Sequence, residues 1–243
     1  MNTTVLNIDN LTQLWSLAGE TFHGYHNHAG IHTSTIENSQ WPNRIWTNAV
    51  LSEKSLQKIE AQMKSNKGMT FSNFNLDSLR SPSINRAGFS LKSIQYGMSL
   101  PLDTAFETQK KIELVRVAHD LEAEIWSNTF YRAFQYRISP ETLLKTASKI
   151  PYFLVYHGKQ LVGTVIMYTT GKTLGVHALG IEPDQRKQGY ATEIMHHVLN
   201  IGLAQGASLA TLQASEMAKN MYLKMGFSHD FLMENYQLET QNN

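Results

Sequence analysis

The chain has 243 residues, a length that suits one large domain or two small ones. Hydrophobic residues make up 42% and charged residues 17%, which is typical of a globular protein and excludes an intrinsically disordered one. The net charge of +1 argues against nucleic acid as the main partner, and the absence of cysteine excludes disulfides and a cysteine nucleophile. Since the sequence has neither a secretory signal nor an apolar run of the roughly 20 residues that span a bilayer, we expect a cytoplasmic protein without a membrane partner.

The first half of the chain predicts α/β structure with long polar loops. Ser52 is a suitable N-cap for an amphipathic helix that ends at Gly68. Residues 69–71 and 89–98 are strand-like, and a long polar loop is expected between them, over residues 72–85.

Four histidines lie close together near the start of the chain, at His23, His26, His28 and His32. Imidazole is a common zinc ligand, but Asp and Cys are missing from this stretch, although Glu20 is close. The pattern favours a polar surface loop, and we expect no metal.

A domain boundary is expected near Pro101, which divides the chain into residues 1–105 and 106–243. The predicted elements after it are a strand at 110–117, a helix at 119–131, a helix that begins at Ser139-Pro140, and strands at 152–156, 161–169 and 174–181. The last three strands are joined by short turns and predict an antiparallel meander.

The end of the chain changes from the period of strands to that of helices. The predicted elements are a helix from Gln188, a strand at 208–213, a helix with Ser215 as N-cap and Gly226 as C′ residue, and an extended segment at 227–238. The second segment is therefore an α/β unit of antiparallel strands followed by a β-α-β end.

One junction in this segment predicts a ligand site. An apolar strand ends at Ile181, and a polar turn leads into a helix that opens near Gly189. Such a helix N-terminus presents backbone N–H groups and the positive end of the helix dipole, which bind phosphate or pyrophosphate. Gly189 lets the backbone approach the ligand, and Arg186 and Lys187 add positive charge.

Two motifs here resemble those of the GCN5-related N-acetyltransferase (GNAT) family. The first is Arg186-x-x-Gly189-x-Ala191, and the second is the Ser215-x-x-Ala218-x-x-x-Tyr222-x-Lys224-x-Gly226-Phe227 stretch. With the order of the predicted elements, the resemblance covers about residues 111–238. It implies an α/β (α+β) fold with a mixed, mostly antiparallel twisted sheet flanked by helices, accompanied here by a smaller α/β N-terminal domain.

The resemblance also implies a site for acetyl-CoA, with no metal. Its pyrophosphate would lie on the loop and first helical turn at Arg186, Lys187, Gln188, Gly189, Tyr190, Ala191 and Thr192. The pantetheine arm would pair like a strand with Leu179, Gly180 and Ile181, in a V-shaped slot between two splayed strands. In this family the fourth strand of the fold usually carries a bulge at this place. Ser215, where the family often has Asn, would hydrogen-bond the pantetheine. A backbone N–H near Leu179 would stabilise the developing oxyanion.

Two side chains are candidates for proton transfer in such an enzyme. Tyr222 occupies the family's tyrosine position and is the expected general acid for the leaving thiolate; the alternative is an aromatic residue packed in the core. His177 lies in a His-Ala-Leu-x-Ile pattern that resembles serotonin N-acetyltransferase, and an ordinary pKa of about 6.5 would suit a general base. The alternative is a buried histidine whose hydrogen bonds are satisfied.

Two regions keep open interpretations. Four aromatic residues between the first two helices of the second segment either line an acceptor pocket or pack in the core: Phe130, Tyr131, Phe134 and Tyr136. The N-terminal segment is either a degenerate copy of the same fold, with residues 89–100 as its final hairpin, or an extension for substrate recognition or dimerisation. A homodimer is compatible with the sequence.

The expected function is acetyl transfer from acetyl-CoA to a primary amine, by direct attack in a ternary complex. The acceptor would be a small amine, an amino acid or a peptide. The alternative is a catalytically weak acyl-CoA-binding module whose N-terminal domain recognises a partner. The sequence does not separate acetyl from other acyl donors.

Overall fold

A computed structural model describes residues 2–76, 84 and 87–239. The elements of the first half are α1 (Thr3–Thr21), β1 (Tyr25–His28), β2 (Ile31–Ser34), β3 (Arg44–Thr47), α2 (Glu53–Ser65), β4 (Thr70–Asn75) and β5 (Phe89–Pro101). Those of the second half are β6 (Ile112–Arg116), α3 (Asp120–Phe134), α4 (Pro140–Thr146), β7 (Tyr152–His157), β8 (Gln160–Thr170), β9 (Thr173–Ile181), a 3₁₀ turn (Pro183–Gln185), α5 (Tyr190–Ala204), β10 (Leu209–Ser215), α6 (Glu216–Lys224) and β11 (Ser228–Leu238).

The second half follows the predicted order of elements closely because its local signals are strong. The side chain of Ser139 accepts a hydrogen bond from the Thr142 amide and Pro140 opens α4, as predicted. Gly226 follows α6 with φ +95°, the left-handed conformation of a C′ glycine. Strands β7, β8 and β9 form the predicted antiparallel meander.

All eleven described strands join one sheet, in the order β1-β2-β3-β4-β11-β5-β10-β9-β8-β7-β6. This order is symmetric about the β11–β5 pair. Counted outwards from that pair, β4, β3, β2 and β1 on one side correspond to β10, β9, β8 and β7 on the other. In each half a parallel β-α-β unit, β3-α2-β4 or β9-α5-β10, follows a pair of antiparallel contacts. The last strands are exchanged, since β11 lies between β4 and β5, and β5 lies between β11 and β10. The two halves of the chain therefore share one continuous sheet across the boundary expected after residue 105.

The helices cover both faces of the sheet. Helices α1, α3 and α4 pack in one apolar cluster on one face, and α2, α5 and α6 pack in two clusters on the other. Helix α1 contacts strands that lie far apart in the sheet: Ser34 of β2 donates to the Trp15 carbonyl at 2.6 Å, while Asn10 donates to the Tyr168 carbonyl of β8 at 2.9 Å. The sheet must therefore curve around α1, which lies on its concave side.

Two predictions for the first half are wrong. Residues 89–100 form a single strand within β5 and no hairpin. A Cβ at Gly97 would lie 2.1 Å from the Phe231 ring, so this glycine serves close packing instead of a turn. The predicted polar loop begins too early, because β4 continues to Asn75 by pairing with β11; residues 77–83 and 85 of that loop lie outside the described part of the chain. Helix α1 was not predicted at all.

Candidate active site

The centre of the sheet contains an opening between two parallel strands. Strands β9 and β10 pair at only three positions, which end at Thr211 opposite Gly175, although β9 continues to Ile181 and β10 to Ser215. Beyond these positions the strands separate, so the edge of β9 that carries Leu179, Gly180 and Ile181 faces no neighbouring strand on that side. The predicted V-shaped slot is therefore present in the structure.

A bulge distorts β9 beside this slot. Ile166 of β8 pairs with His177 and Thr164 pairs with Gly180, so that β9 has one more residue than β8 in this interval. Ala178, in the bulge, has φ +52°. A bulge removes backbone groups from the regular ladder, and this one does so next to Leu179, where the oxyanion donor is expected.

Helix α5 begins at the same end of β9 with an open N-terminus. Its N-cap is Gly189, which has φ +81° and supplies no capping side chain. A Cβ placed on Gly189 would meet no described heavy atom within 4 Å. The first-turn N–H groups have no partner within a helix, and no side chain caps them.

The corresponding helix in the first half differs at this point. Helix α2 starts with a capping box, in which the Ser52 side chain accepts from the Ser55 amide and the Ser55 side chain accepts from the Ser52 amide. Side chains of the helix thus occupy the amides that α5 leaves free. Of these two matching helix N-termini, only that of α5 lacks a side-chain cap.

The side chains of the loop before α5 mostly hold the loop in place. The Arg186 guanidinium donates to the Ala133 carbonyl at the end of α3 at 3.1 Å, and the Gln188 side chain donates to the Asp184 carbonyl at 3.2 Å. Tyr190 is buried and its hydroxyl bonds His157 at 3.0 Å. Lys187 is exposed, with φ +62°, and it is the one basic side chain of the loop without a described partner. The charge expected from Arg186 is therefore engaged with α3, whereas Lys187 is free to meet a ligand.

His177 lies on β9 just before the bulge, on the face covered by α1. Its Nε2 is 3.0 Å from Asn10 Oδ1. The Asn10 amide nitrogen donates to Tyr168, Thr170 and Thr173, so its oxygen is the acceptor and His177 Nε2 must carry the proton. The lone pair of the neutral imidazole is consequently on Nδ1.

Burial lowers the pKa of His177 to about 4, although a hydrogen bond with Gln213 acts in the opposite direction. The expectation of an ordinary imidazole pKa is therefore wrong, because the ring lies between β9 and α1 and loses its hydration. His177 is neutral at pH 7, and it is a weaker base than a solvated histidine.

Tyr222 lies in α6, which follows β10 directly. The ring is buried and packs edge-on against Phe227 at a centroid distance of 5.6 Å, and burial raises the pKa of its hydroxyl. The phenol is therefore a neutral O–H, the form that a proton donor needs. Ser215 is the N-cap of α6 by position, but its exposed side chain makes no capping bond and is free for another partner.

The four aromatic residues in the last turns of α3 and just after it divide between core and surface. Phe130 is fully buried against Trp126, whereas Tyr131 and Phe134 are 42% and 38% exposed. Phe134 lies next to β9, since a Cβ at Gly180 would be 2.6 Å from its ring. Phe130 therefore packs in the core, while an acceptor pocket lined by Tyr131 and Phe134 stays a prediction.

Two buried polar residues of α1 are not among the candidates above and belong to the site. Asn7 and Asn10 are completely buried, and Asn7 accepts a 2.6 Å hydrogen bond from Gln213 of β10. The signal was available, because both asparagines share the helical spacing of the apolar residues Leu11 and Leu14.

The histidine-rich segment forms a hairpin in which His32 bonds the Tyr25 hydroxyl at 2.9 Å and stacks on Trp46. Among the described residues, no three His, Asp or Glu side chains are grouped to hold a metal ion. No described helix combines the length and apolarity that crossing a membrane requires.

Comparison with known proteins agrees with this geometry. Residues 115–227 match the family model of the acetyltransferase (GNAT) family. These residues form a GNAT-family domain. The match includes the V-shaped slot, the bulge, the α5 loop and Tyr222, and it ends at Phe227.

Solved structures extend the likeness of fold beyond this domain. A GCN5-related N-acetyltransferase from Kribbella flavida aligns with a TM-score of 0.67 at 13% identity, covering 95% of this chain and 95% of that one. A putative GNAT acetyltransferase from Novosphingobium aromaticivorans aligns at 0.62 and 10% identity, covering 93% and 96%. A third, from Sphaerobacter thermophilus, gives 0.61 and 15%, covering 85% and 76%. Identities this low show the fold alone, and that fold includes the first half of the chain. No curated protein matches the chain.

Proposed function

We propose that this protein is an acetyl-CoA-dependent N-acetyltransferase that acts on a primary amine. The observation that carries the proposal is the V-shaped slot between β9 and β10, which leads to the uncapped N-terminus of α5. A family domain and an open anion site at the expected place support acyl-CoA as the donor.

The residues around the slot have distinct roles in this proposal. Amides from Lys187 to Thr192 bind the pyrophosphate, and the free edge of β9 at Leu179 to Ile181 pairs with the pantetheine arm. The slot holds thioester and amine together, and this positioning supplies most of the rate enhancement. Tyr222 protonates the departing thiolate.

The role of His177 is to accept a proton from the attacking amine, directly or through water, at its unprotonated Nδ1. Its low pKa keeps this atom available at neutral pH, at the expense of basicity. Asn10 fixes the tautomer from the other side of the ring.

We further propose that the first half is a GNAT-like unit without its own cofactor site. The mirrored strand order and the equivalent β-α-β unit support the likeness. The capping box of α2 argues against a second pyrophosphate site there. This half instead covers the acceptor side of the slot with α1.

A binding module that retains acyl-CoA without turnover is the second candidate. The observation in its favour is the weak basicity of His177. Both candidates predict that acetyl-CoA raises the melting temperature, but only the enzyme releases CoA when amines are added.

The experiment is therefore a thermal melt with saturating acetyl-CoA, followed by an amine panel. Because the chain has no cysteine, a thiol-reactive dye reports released CoA without background from the protein. Ligand at 100 times its dissociation constant adds about 2.7 kcal/mol to the free energy of unfolding. No shift of the melting temperature at millimolar acetyl-CoA would refute both candidates.

A further inference from the structure

Arg44 carries a positive charge into the concave side of the sheet. Its Nη1 donates to Asn235 Oδ1 at 3.1 Å, and its guanidinium carbon lies 5.5 Å from the centroid of the Trp15 ring. Its Nε is buried and has no hydrogen-bond partner, and no described carboxylate lies within 4 Å of the side chain. Burial lowers the pKa of Arg44.

A mostly buried guanidinium without a described counter-charge is unusual in a folded protein. Taking a charge out of water carries a large desolvation penalty, which proteins normally offset by pairing. The planar guanidinium fork is also the group best suited to bind a carboxylate with two parallel hydrogen bonds. The end of the guanidinium, where only Nη1 has a described partner, is therefore suited to an anionic ligand, whereas the buried Nε is out of reach of one.

A line of polar side chains connects Arg44 with the slot. Asn235 of β11, which accepts from Arg44, donates to Gln95 of β5 at 3.2 Å. Gln95 in turn donates to the carbonyl of Gln213 on β10 at 3.2 Å, and the Gln213 side chain reaches Asn7 of α1. Gln95, Gln213 and Arg44 are each partly accessible, so the line forms a polar floor and is not sealed in the core.

Both halves of the chain enclose this floor. Tyr136, in the connection between α3 and α4, is close enough to Arg44 for each to affect the pKa of the other. The same connection is tied to the first half by the Gln40 amide, which donates to the Arg137 carbonyl at 2.9 Å. Arg44 thus lies where α1, β3 and the α3–α4 connection meet, on the face of the sheet that carries His177.

We propose that Arg44 binds a carboxylate of the acceptor, whose amine reaches the slot beside His177. The inference rests on the proposed function and specifies the class of its substrate. From β11, where the guanidinium is held, to the slot between β10 and β9 there are between two and three strand spacings, or roughly 10–14 Å. An α-amino acid is too short to span this distance, whereas a peptide of three or four extended residues reaches roughly 10–14 Å. The acceptor is a short peptide or a similarly long amino acid, acetylated at its amine with its carboxylate on Arg44.

The test uses triglycine and triglycine amide, which differ in the terminal carboxylate. Binding of each is measured by calorimetry in the presence of CoA, and acetylation is measured by thiol release. We expect the wild-type protein to bind triglycine at least tenfold more tightly than its amide or glycine. Arg44→Gln should remove this preference, whereas Arg116→Gln, which deletes an exposed arginine on β6 at the far edge of the sheet, should retain it.

The outcomes separate this inference from the proposed function. If acetyl-CoA raises the melting temperature but triglycine binds no better than its amide, the carboxylate site is refuted and the cofactor site stands. If Arg44→Gln weakens both ligands equally, Arg44 is a structural link between β3 and β11 and the inference fails. Should Arg44→Gln not fold, Arg44→Lys keeps the charge without the fork and must still favour triglycine, by a smaller factor.

Discussion

The pyrophosphate assignment can be tested with two glycines at opposite ends of α5. Gly189 at the N-terminus has φ +81° and Gly206 after the C-terminus has φ +87°, and a Cβ on either would meet no described atom within 4 Å. Alanine at either position is therefore strained by a similar amount, about 1–2 kcal/mol, without any packing clash. For a chain of this size that lowers the melting temperature of both variants by about 2–8 °C.

The alanine variants of Gly189 and Gly206 should differ in their response to acetyl-CoA, and Gly189→Arg should enlarge that difference. At a ligand concentration of 100 times the wild-type dissociation constant, binding stabilises the wild-type protein by about 2.7 kcal/mol, or about 5–11 °C. Gly206→Ala should show the same shift. Gly189→Arg, which fills the space above the first-turn amides, should weaken binding at least 100-fold and leave only about 0.4 kcal/mol, or 1–2 °C.

The assay is differential scanning fluorimetry of each variant with and without acetyl-CoA, and calorimetry then gives the dissociation constants. Gly189→Ala should fall between the wild type and Gly189→Arg. The reasoning is refuted if Gly189→Arg binds acetyl-CoA as tightly as Gly206→Ala does, because the amides at the N-terminus of α5 would then not be the anion site.

Three further predictions concern the interior of the site. Tyr222→Phe should lower turnover by about 10²–10⁴-fold and leave acetyl-CoA affinity nearly unchanged; equal turnover would make the ring a packing residue. Because the pKa of His177 is lower in the folded protein than in the unfolded chain, the free energy of unfolding should fall by up to about 3 kcal/mol as the pH decreases from 6.5 to 4. His177→Gln should reduce this loss in urea titrations. The same pH dependence of stability in wild type and variant would contradict the low pKa. Asn10→Ala removes three hydrogen bonds of 3.0 Å or less and should cost about 3 kcal/mol, whereas the exposed Asn66→Ala should cost almost nothing. Similar melting temperatures for the two asparagine variants would show that the network beneath α1 contributes no stability.

The elements of the second half could be predicted from local signals. Ser139-Pro140 and Gly226 mark helix ends by conformational preferences that act within a few residues, and the structure confirms them. The open end of α5 follows from the same kind of signal, since Gly189 has no side chain with which to cap the helix. The uncapped N-terminus of α5 is therefore a property that the sequence by itself determines.

The exchange of β5 and β11 could not be predicted in this way. Strand pairing joins residues more than a hundred positions apart, and Phe89–Pro101 contains no local sign that it inserts between two strands of the other half. The same limit explains why the predicted hairpin is wrong. Glycine is common in turns, but Gly97 lies within a strand and makes room for the Phe231 ring. Only the packed sheet distinguishes these uses of a glycine.

The chemistry of His177 and Arg44 was also decided by the tertiary structure. The pKa of His177 depends on burial beneath α1, and its tautomer depends on Asn10, 167 residues away. Arg44 is an ordinary basic residue in the sequence and becomes a mostly buried cation without a described counter-charge only when β3, β11 and α1 meet. Local sequence determines where a helix begins and which groups its end exposes, because those energies act over a few residues. Dehydration and long-range hydrogen bonds act through space, and they exist only once the chain has folded.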